Sequence, residues 1–263
     1  MTAQDNLVTI YERYFESGDY ARRYPDVNRN TLSVILAHGG GTARRILDFG
    51  CGNGRYALAL LERTAAHLTG FDVTPAALAE FGRRLRHGPY RHRVEIASGS
   101  LEALDEVAAF DVVLALFGVL GHISGRDNRI DTLKRLRRSM NGPDGRLILS
   151  VPSVYRRRPR EFLAASLRRA AGHGAPDEEA GDIVFRRHID GADMEFHYHL
   201  YTPARLRLEL EAAGFRLLEL RPESVLPEWF ITQWPAVQGV ERAVLPLLPS
   251  ALGYGIIAVA EPA

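Results

Sequence analysis

One cysteine, one lysine and no long apolar run set the first limits on this 263-residue chain. With Cys51 standing alone, an intramolecular disulfide and a cysteine-rich metal site are both excluded. No stretch approaches the roughly eighteen uninterrupted apolar residues that a membrane helix requires. The opening residues MTAQDNLVTIYERYF are polar and amphipathic, without the apolar region or cleavage pattern of a secretory signal. The expectation is therefore a soluble, cytoplasmic protein. Excess charge is lacking too: the formal net charge is +1, which leaves no global attraction to nucleic acid or to an anionic membrane. Lys134 is the only lysine, so arginine supplies the other basic residues. That is a compositional habit, and it discounts arginine clusters as functional signals.

What is present is ordinary for a folded protein, with 46% hydrophobic and 25% charged residues. The length suits one sizeable domain, or a domain with an added subdomain. Helical spacing of apolar side chains covers residues 4–17 (Leu7, Ile10, Tyr14) and 26–37 (Leu32, Ile35, Leu36), and His38-Gly39-Gly40-Gly41 closes that region. RRILDF, HLTGFDV, RVEIAS, FDVVLAL and RLILSVP then read as five strands. TPAALAEFGRRLR forms one intervening helix, with Thr74 as N-cap and Pro75 at the first helical position. Residues 127–139 form another. Strands alternating with helices indicate βαβ units and a parallel sheet.

The alternation stops at residue 153. Residues 160–171 read as a helix inside an arginine- and alanine-rich excursion. DIVFRRHI and DMEFHYHLYT, meeting at Asp190-Gly191, read as a hairpin. TPARLRLELEAAGF is a capped helix ending at Gly214, a helix is expected near 236–246, and FRLLELR and GYGIIAVAE are the last two strands.

The stretch ILDFGCGNGRY places three glycines, Gly50, Gly52 and Gly54, between a strand and a helix. Such a turn converges backbone N–H groups and a helix N-terminus on one point, where a ligand can approach. The dinucleotide fingerprint needs G-x-G-x-x-G, and here the third glycine comes one residue early, with Arg55 in its place. Asp48, two residues before Gly50, would repel a pyrophosphate and suits a cationic group. Asp72 ends the second strand, where an acidic side chain accepts the hydroxyls of a ribose. A ribose, an adenine and a cation in place of phosphate describe S-adenosylmethionine.

On the residues ILDFGCGNGRY, GFDVTPAAL, FDVVLAL and NGPDGRLILSVP, the chain resembles the class I S-adenosylmethionine-dependent methyltransferases over about residues 10 to 260. The resemblance implies an α/β, Rossmann-like fold: a seven-stranded, mostly parallel sheet with helices on both faces and an antiparallel last strand, here with a lid or flap inserted after strand 5. It divides one domain into an N-terminal helical cap (1–40), a cofactor-binding core (41–152), a lid or flap (153–200) and the C-terminal part of the sheet (201–263). It assigns Asp48, Gly50, Gly52 and Gly54 to the methionine portion of S-adenosylmethionine, with Cys51 and Asn53 between them. Asp72 is assigned to the ribose and Val73 to the adenine face. Ser100 stands where the family has an adenine-binding aspartate, beside a backbone amide at Leu101, and Leu116 ends the fourth strand at the same cofactor. Tyr20 and Arg23 are expected at the methionine end, where an N-terminal segment closes in related enzymes.

The loop LFGVLGHISGR lies where ligands bind in open α/β sheets, and His122 is the candidate catalytic base for a methylated amine or hydroxyl. His188, His197 and His199 invite a metal reading, but His197 and His199 alternate on one strand face without an accompanying carboxylate triad, and a solvated or substrate-facing strand is the expectation. Arg156, Arg157, Arg158 and Arg160 read as an exposed charged face rather than a site for an acidic substrate. The segment EFHYHLYTPARLRLELEAAGF resembles two subgroups, small-molecule N- and O-methyltransferases and enzymes that modify wobble uridines in transfer RNA. The near-neutral charge favours a small-molecule acceptor over nucleic acid and gives no reason to expect a membrane partner. A protein that binds S-adenosylmethionine without transferring its methyl is the reading from another class.

Overall fold

The computed structural model describes residues 3–86, 88–99, 110–174, 178–189 and 191–263. The elements run α1 (Ala3–Glu16), α2 (Asp19–Arg23), α3 (Arg29–Ile35), β1 (Arg45–Phe49), α4 (Arg55–Leu61), β2 (His67–Asp72), α5 (Pro75–Leu85), β3 (Val94–Ser98), β4 (Val112–Ala115), α6 (Arg126–Arg138), β5 (Arg146–Pro152), α7 (Pro159–Ala170), β6 (Asp182–Ile189), β7 (Ala192–His199), α8 (Pro203–Ala212), β8 (Phe215–Ser224), α9 (Glu228–Ile231), α10 (Pro235–Val244) and β9 (Gly255–Pro262).

Seven strands form one sheet in the order β3-β2-β1-β4-β5-β9-β8. β1 to β5 pair in parallel, and β9 runs antiparallel to both β5 and β8. Strand order reverses between β1 and β4, which opens a crevice at their carboxyl ends. The period of two along a strand divides the core. Leu47 and Phe49 face one buried cluster with α6 and α8, while Ile46 faces another with α3, α4 and α5. All four residues of β4 are buried, as a strand covered on both faces requires.

After β5 the chain leaves the sheet. α7 and the β6–β7 hairpin, which pair antiparallel from Asp182↔His199 to Ile189↔Ala192, pack with α1 into a third cluster. Ile10, Tyr14 and Phe15 of α1 and Phe196 and Tyr198 of β7 belong to it. This cluster roofs the carboxyl ends of β1, β2 and β4. α1 is also tied to the sheet from below, since both carboxylate oxygens of Glu12 accept from the Ala76 amide at 3.2 Å in the first turn of α5. Thr74 stands at the N-cap of α5 with Pro75 behind it, but its side chain makes no capping bond. Glu12 meets that helix end instead. α8 is capped as expected, Thr202 Oγ1 accepting from the Arg205 amide at 3.2 Å. The helix expected from residue 26 is α3, which begins at Arg29 because Asn28 caps it through the amides of Asn30 and Thr31.

Candidate active site

β1, β2 and β4 end around a cavity of about 660 Å³, a size that suits a nucleoside-type ligand. Gly50, Gly52, Asp72, Val73, Leu116, Tyr20 and His122 line it. The turn after β1 is shaped by left-handed backbone, with φ of 75°, 55° and 74° at Gly50, Gly52 and Gly54, conformations that glycine reaches at no steric cost. A Cβ at Gly50 would meet Val119 Cγ2 at 2.4 Å, and one at Gly52 would meet Phe15 Cζ at 3.3 Å.

Gly54 has a different task. A Cβ there would lie 2.0 Å from Phe81 Cδ2, so Gly54 allows α5 to pack on the turn. The close-packing glycine that the dinucleotide fingerprint keeps one residue later is therefore supplied here by Gly54. Arg55 opens α4 and is turned inward, 5% exposed. Its guanidinium pairs with Glu228 at 2.9 Å, donates to the Asp26 carbonyl at 2.7 Å and lies 5.0 Å from the Phe117 ring. It ties α9 and the link between α2 and α3 to the glycine turn.

Asp72 is held in place by the chain itself. Its Oδ2 accepts from the Gly52 amide at 2.8 Å and its Oδ1 from the Thr74 amide at 2.9 Å. Burial still pushes its carboxyl above the ordinary range, against those bonds. Asp48, Cys51, Asn53 and Gly54 are absent from the cavity lining. Asp48 lies beneath the turn, 3% exposed, and burial, followed by the Asp72 charge, pushes its carboxyl up to about 7. Cys51 is buried under the turn, with its Sγ within 3.0 Å of where a Gly70 Cβ would stand. Asn53 donates to Glu80 at 2.9 Å and its carbonyl accepts from Arg84 at 3.0 Å. Both are turn supports. Ser100 and Leu101 lie outside the described residues.

Tyr20 fills the roof above Gly52, its ring 4.4 Å from Phe15. Arg23 does not join it. Arg23 is absent from the cavity lining and packs 5.4 Å from the Trp229 ring, donating to the Tyr24 hydroxyl at 3.3 Å. The attraction of two aromatic faces draws it outward.

The loop after β4 carries Phe117 at φ 60°, a left-handed residue with a side chain. Its amide donates to Ser150 Oγ at 2.7 Å, and the strained turn sets Gly118 and the following residues against the roof. His122 sits at that junction. Tyr11 OH and His122 Nε2 are 2.8 Å apart, and the imidazole stacks on Tyr198 at 4.4 Å. Burial, then the charge of Arg157, drives its pKa down to about 3. Nδ1 is buried without a hydrogen-bond partner, so the one polar contact of the ring is at Nε2, which accepts from the Tyr11 hydroxyl when the imidazole proton is on Nδ1. The phenol stays protonated, its pKa raised by burial and by Tyr198. Tyr11 was visible in the sequence only as one tyrosine among several.

The three histidines separate. His188 is exposed beside Asp193, His197 lines the cavity, and His199 is 2% exposed with Nδ1 2.6 Å from Asp182 Oδ1. Two carboxylates from outside that strand do approach His199: Glu179, Asp182 and His199 offer ligand atoms within 4.8 Å of one another. Their charge is answered by the protein, however, because Glu179 pairs with Arg129 at 3.0 Å and with Arg205 at 3.6 Å. The arginine run also divides. Arg156 is exposed, while Arg157 turns in to lie 5.1 Å from the Tyr198 ring and Arg158 lies 4.0 Å from the Phe185 ring.

Among known proteins, a family model described as a methyltransferase domain matches residues 46–143. A tRNA U34 carboxymethyltransferase of Shewanella piezotolerans is 34% identical over 153 residues, covering 56% of this chain and 44% of that protein. The chain thus spans less than half the length of the curated relatives it matches. In fold, it is similar to the CcbJ methyltransferase of Streptomyces caelestis, with a TM-score of 0.62 at 16% identity over 90% of this chain and 91% of the other. It is similar also to the 1,6-didemethyltoxoflavin-N1-methyltransferase of Burkholderia thailandensis, whose structure holds S-adenosylhomocysteine, with a TM-score of 0.60 at 20% identity over 98% and 88%. No helix among the described residues is long and apolar enough to cross a membrane.

Proposed function

We propose that the chain is a class I S-adenosylmethionine-dependent methyltransferase that methylates a nitrogen or oxygen of a small-molecule acceptor, a reading supported by the methyltransferase domain matched at residues 46–143 and by the fold. The observation that carries the small acceptor is the roof. α1, β6 and β7 bury a common apolar cluster over the crevice, and about 660 Å³ remains beneath. That volume admits a cofactor with a small partner.

The residues present fit S-adenosylmethionine. Asp72, oriented by two backbone amides, has lone pairs left for both ribose hydroxyls. Val73, 40% exposed, offers its side chain to the adenine face. Gly50 and Gly52 let the methionine portion lie against the backbone, Leu116 walls it and Tyr20 covers it. Asp48 supplies a buried negative field for the ammonium group, and the pyrophosphate of a dinucleotide would meet that field as repulsion. When bound, the cofactor supplies an electrophilic methyl, whose bond to sulfur breaks with the electron pair as the acceptor forms its own bond to carbon. The proton that the acceptor loses passes to the Tyr11 oxygen as Tyr11 gives its own proton to His122 Nε2, and the aromatic roof excludes water from the reacting atoms.

Incubation with methyl-labelled S-adenosylmethionine, offered in parallel to a low-mass metabolite fraction and to total transfer RNA, tests the proposal. Label is expected in the low-mass fraction. Label in transfer RNA alone favours a second reading, an acceptor uridine, for which the name of the Shewanella relative is the support. Cofactor binding with no transfer to either fraction defeats both.

A further inference from the structure

Two arginines of the roof have no acidic partner among the described residues. Arg157, in the turn after β5, lies 5.1 Å from the Tyr198 ring and 5.3 Å from the Tyr254 ring. Arg187, on β6, lies 5.3 Å from the Phe196 ring and 5.4 Å from the Tyr14 ring. Their chain neighbours Arg158 and Arg186 are paired with Glu161 and Glu195. Among the described residues, neither Arg157 nor Arg187 forms an ion pair with a carboxylate.

The positions of the pair relate directly to the proposed chemistry. Tyr198, which Arg157 covers, stacks on His122 at 4.4 Å. Phe196, which Arg187 covers, meets Tyr11 edge-on at 5.8 Å. Each guanidinium is thus one aromatic ring removed from the Tyr11–His122 hydrogen bond, behind the lining of the cavity rather than part of it. Half-buried cations without counter-charge are costly unless a ligand answers them, and guanidinium forks match carboxylate and phosphoryl oxygens.

We propose that Arg157 and Arg187 together hold an acidic group, a carboxylate or a phosphoryl group, on a flat acceptor whose nucleophilic nitrogen or oxygen is thereby set beside Tyr11 and His122. The aromatic lining suits a planar acceptor body. Glu223 stands near Arg157 but does not neutralise it, because burial and the Glu228 charge push its carboxyl up to about 8. A seated anion also serves the base. Both arginines help to hold His122 neutral, and cancelling their charge raises its proton affinity only when an acceptor is in place.

This inference rests on the methyltransferase reading, and the test separates the two. The protein saturated with S-adenosylhomocysteine is titrated calorimetrically with benzoate, 4-hydroxybenzoate and phenylphosphonate, and with benzamide and 4-hydroxybenzamide as neutral counterparts. The expected result is that at least one anion binds tenfold or more tightly than the neutral compounds. Arg157→Gln and Arg187→Gln each erase that preference, Arg157→Lys keeps part of it, and S-adenosylhomocysteine affinity changes less than twofold. Melting curves confirm that each variant is folded. A bound cofactor with no anion preference overturns this inference and leaves the methyltransferase reading standing. A tenfold loss of S-adenosylhomocysteine affinity in the Gln variants, with 5′-methylthioadenosine affinity unchanged, also overturns it, since the arginines would then hold the cofactor's own carboxylate. Failure of S-adenosylhomocysteine to bind removes both.

Discussion

The hydroxyl of Tyr11 lies 2.8 Å from Nε2 of His122, joining the first helix to the loop after the fourth strand. The bond places a base and the phenol that relays the proton to it on two separate elements, so chemistry at His122 depends on α1 being seated. With its pKa at about 3, His122 is neutral across the physiological range. At saturating S-adenosylmethionine, kcat/KM for the acceptor is expected to show no inflection near pH 6.5. His122→Ala lowers kcat by roughly 10²-fold or more, the usual worth of a positioned base. Tyr11→Phe, which breaks the relay, lowers it comparably. An inflection near 6.5 that His122→Ala abolishes would contradict the assignment.

Asp48 gives a pH dependence of opposite sense. Its carboxyl is raised from 3.8 to about 7 by burial and then by Asp72, and a cationic ligand favours its ionised form. Affinity for S-adenosylmethionine should rise as pH goes from 6 to 8, and Asp48→Asn should weaken binding and flatten that rise. The ligand-free protein behaves inversely. A carboxyl whose folded pKa exceeds its unfolded one contributes stability below pH about 4 and loses it as pH climbs through about 7. Melting temperatures of wild type and Asp48→Asn should therefore diverge in favour of the variant from pH 5 to pH 8. Parallel curves would remove Asp48 from the account.

Gly54 should be intolerant of a methyl group. At φ 74° with Phe81 Cδ2 2.0 Å from the added Cβ, Gly54→Ala is expected to cost about 2–4 kcal/mol, the sum of left-handed strain and overpacking. Gly142 has φ 65° and nothing within 4 Å, so Gly142→Ala should cost only about 1–2 kcal/mol, the strain alone. Phe81→Leu should recover part of the Gly54→Ala loss. Urea unfolding of the four proteins checks the comparison, and equal losses at the two glycines would refute it.

Much of this architecture is legible in the sequence alone. The strands RRILDF and FDVVLAL, the glycine turn and Asp72 follow from local pattern, and the hairpin follows from two alternating runs around Asp190-Gly191. What was not legible depends on partners far apart in the chain. Arg55 read as a misplaced fingerprint residue because Glu228, which holds it, belongs to the four-residue helix α9, too short for any periodicity. Phe81 explains Gly54, yet nothing local links them. Arg157 is one of three consecutive arginines, and only the turn that ends with Arg158 at φ 57° determines which one points inward. Arg23 misled because proximity to Tyr20 in sequence does not set the direction of its side chain.

The Arg55–Glu228 pair is buried, with 5% and 7% of the two side chains exposed. Breaking it by Glu228→Gln or Arg55→Met is expected to cost about 3–5 kcal/mol, because one buried charge is left without its partner. Replacing both with Met should cost less than either single change. Denaturant midpoints with constant slopes would establish the ordering, and near-zero single effects would show the pair to be solvated.

The central claim is that the turn after β1 and Asp72 form a site for S-adenosylmethionine. Equilibrium binding of S-adenosylhomocysteine to wild type and to Asp72→Asn, with NADH as competitor, tests it most directly. Hydrogen bonds to a charged partner are worth about 1.5–3 kcal/mol each. Binding that weakens at least tenfold in Asp72→Asn and is untouched by NADH is the predicted result. Binding of NADH in place of S-adenosylhomocysteine, or equal affinity in both proteins, would contradict the account.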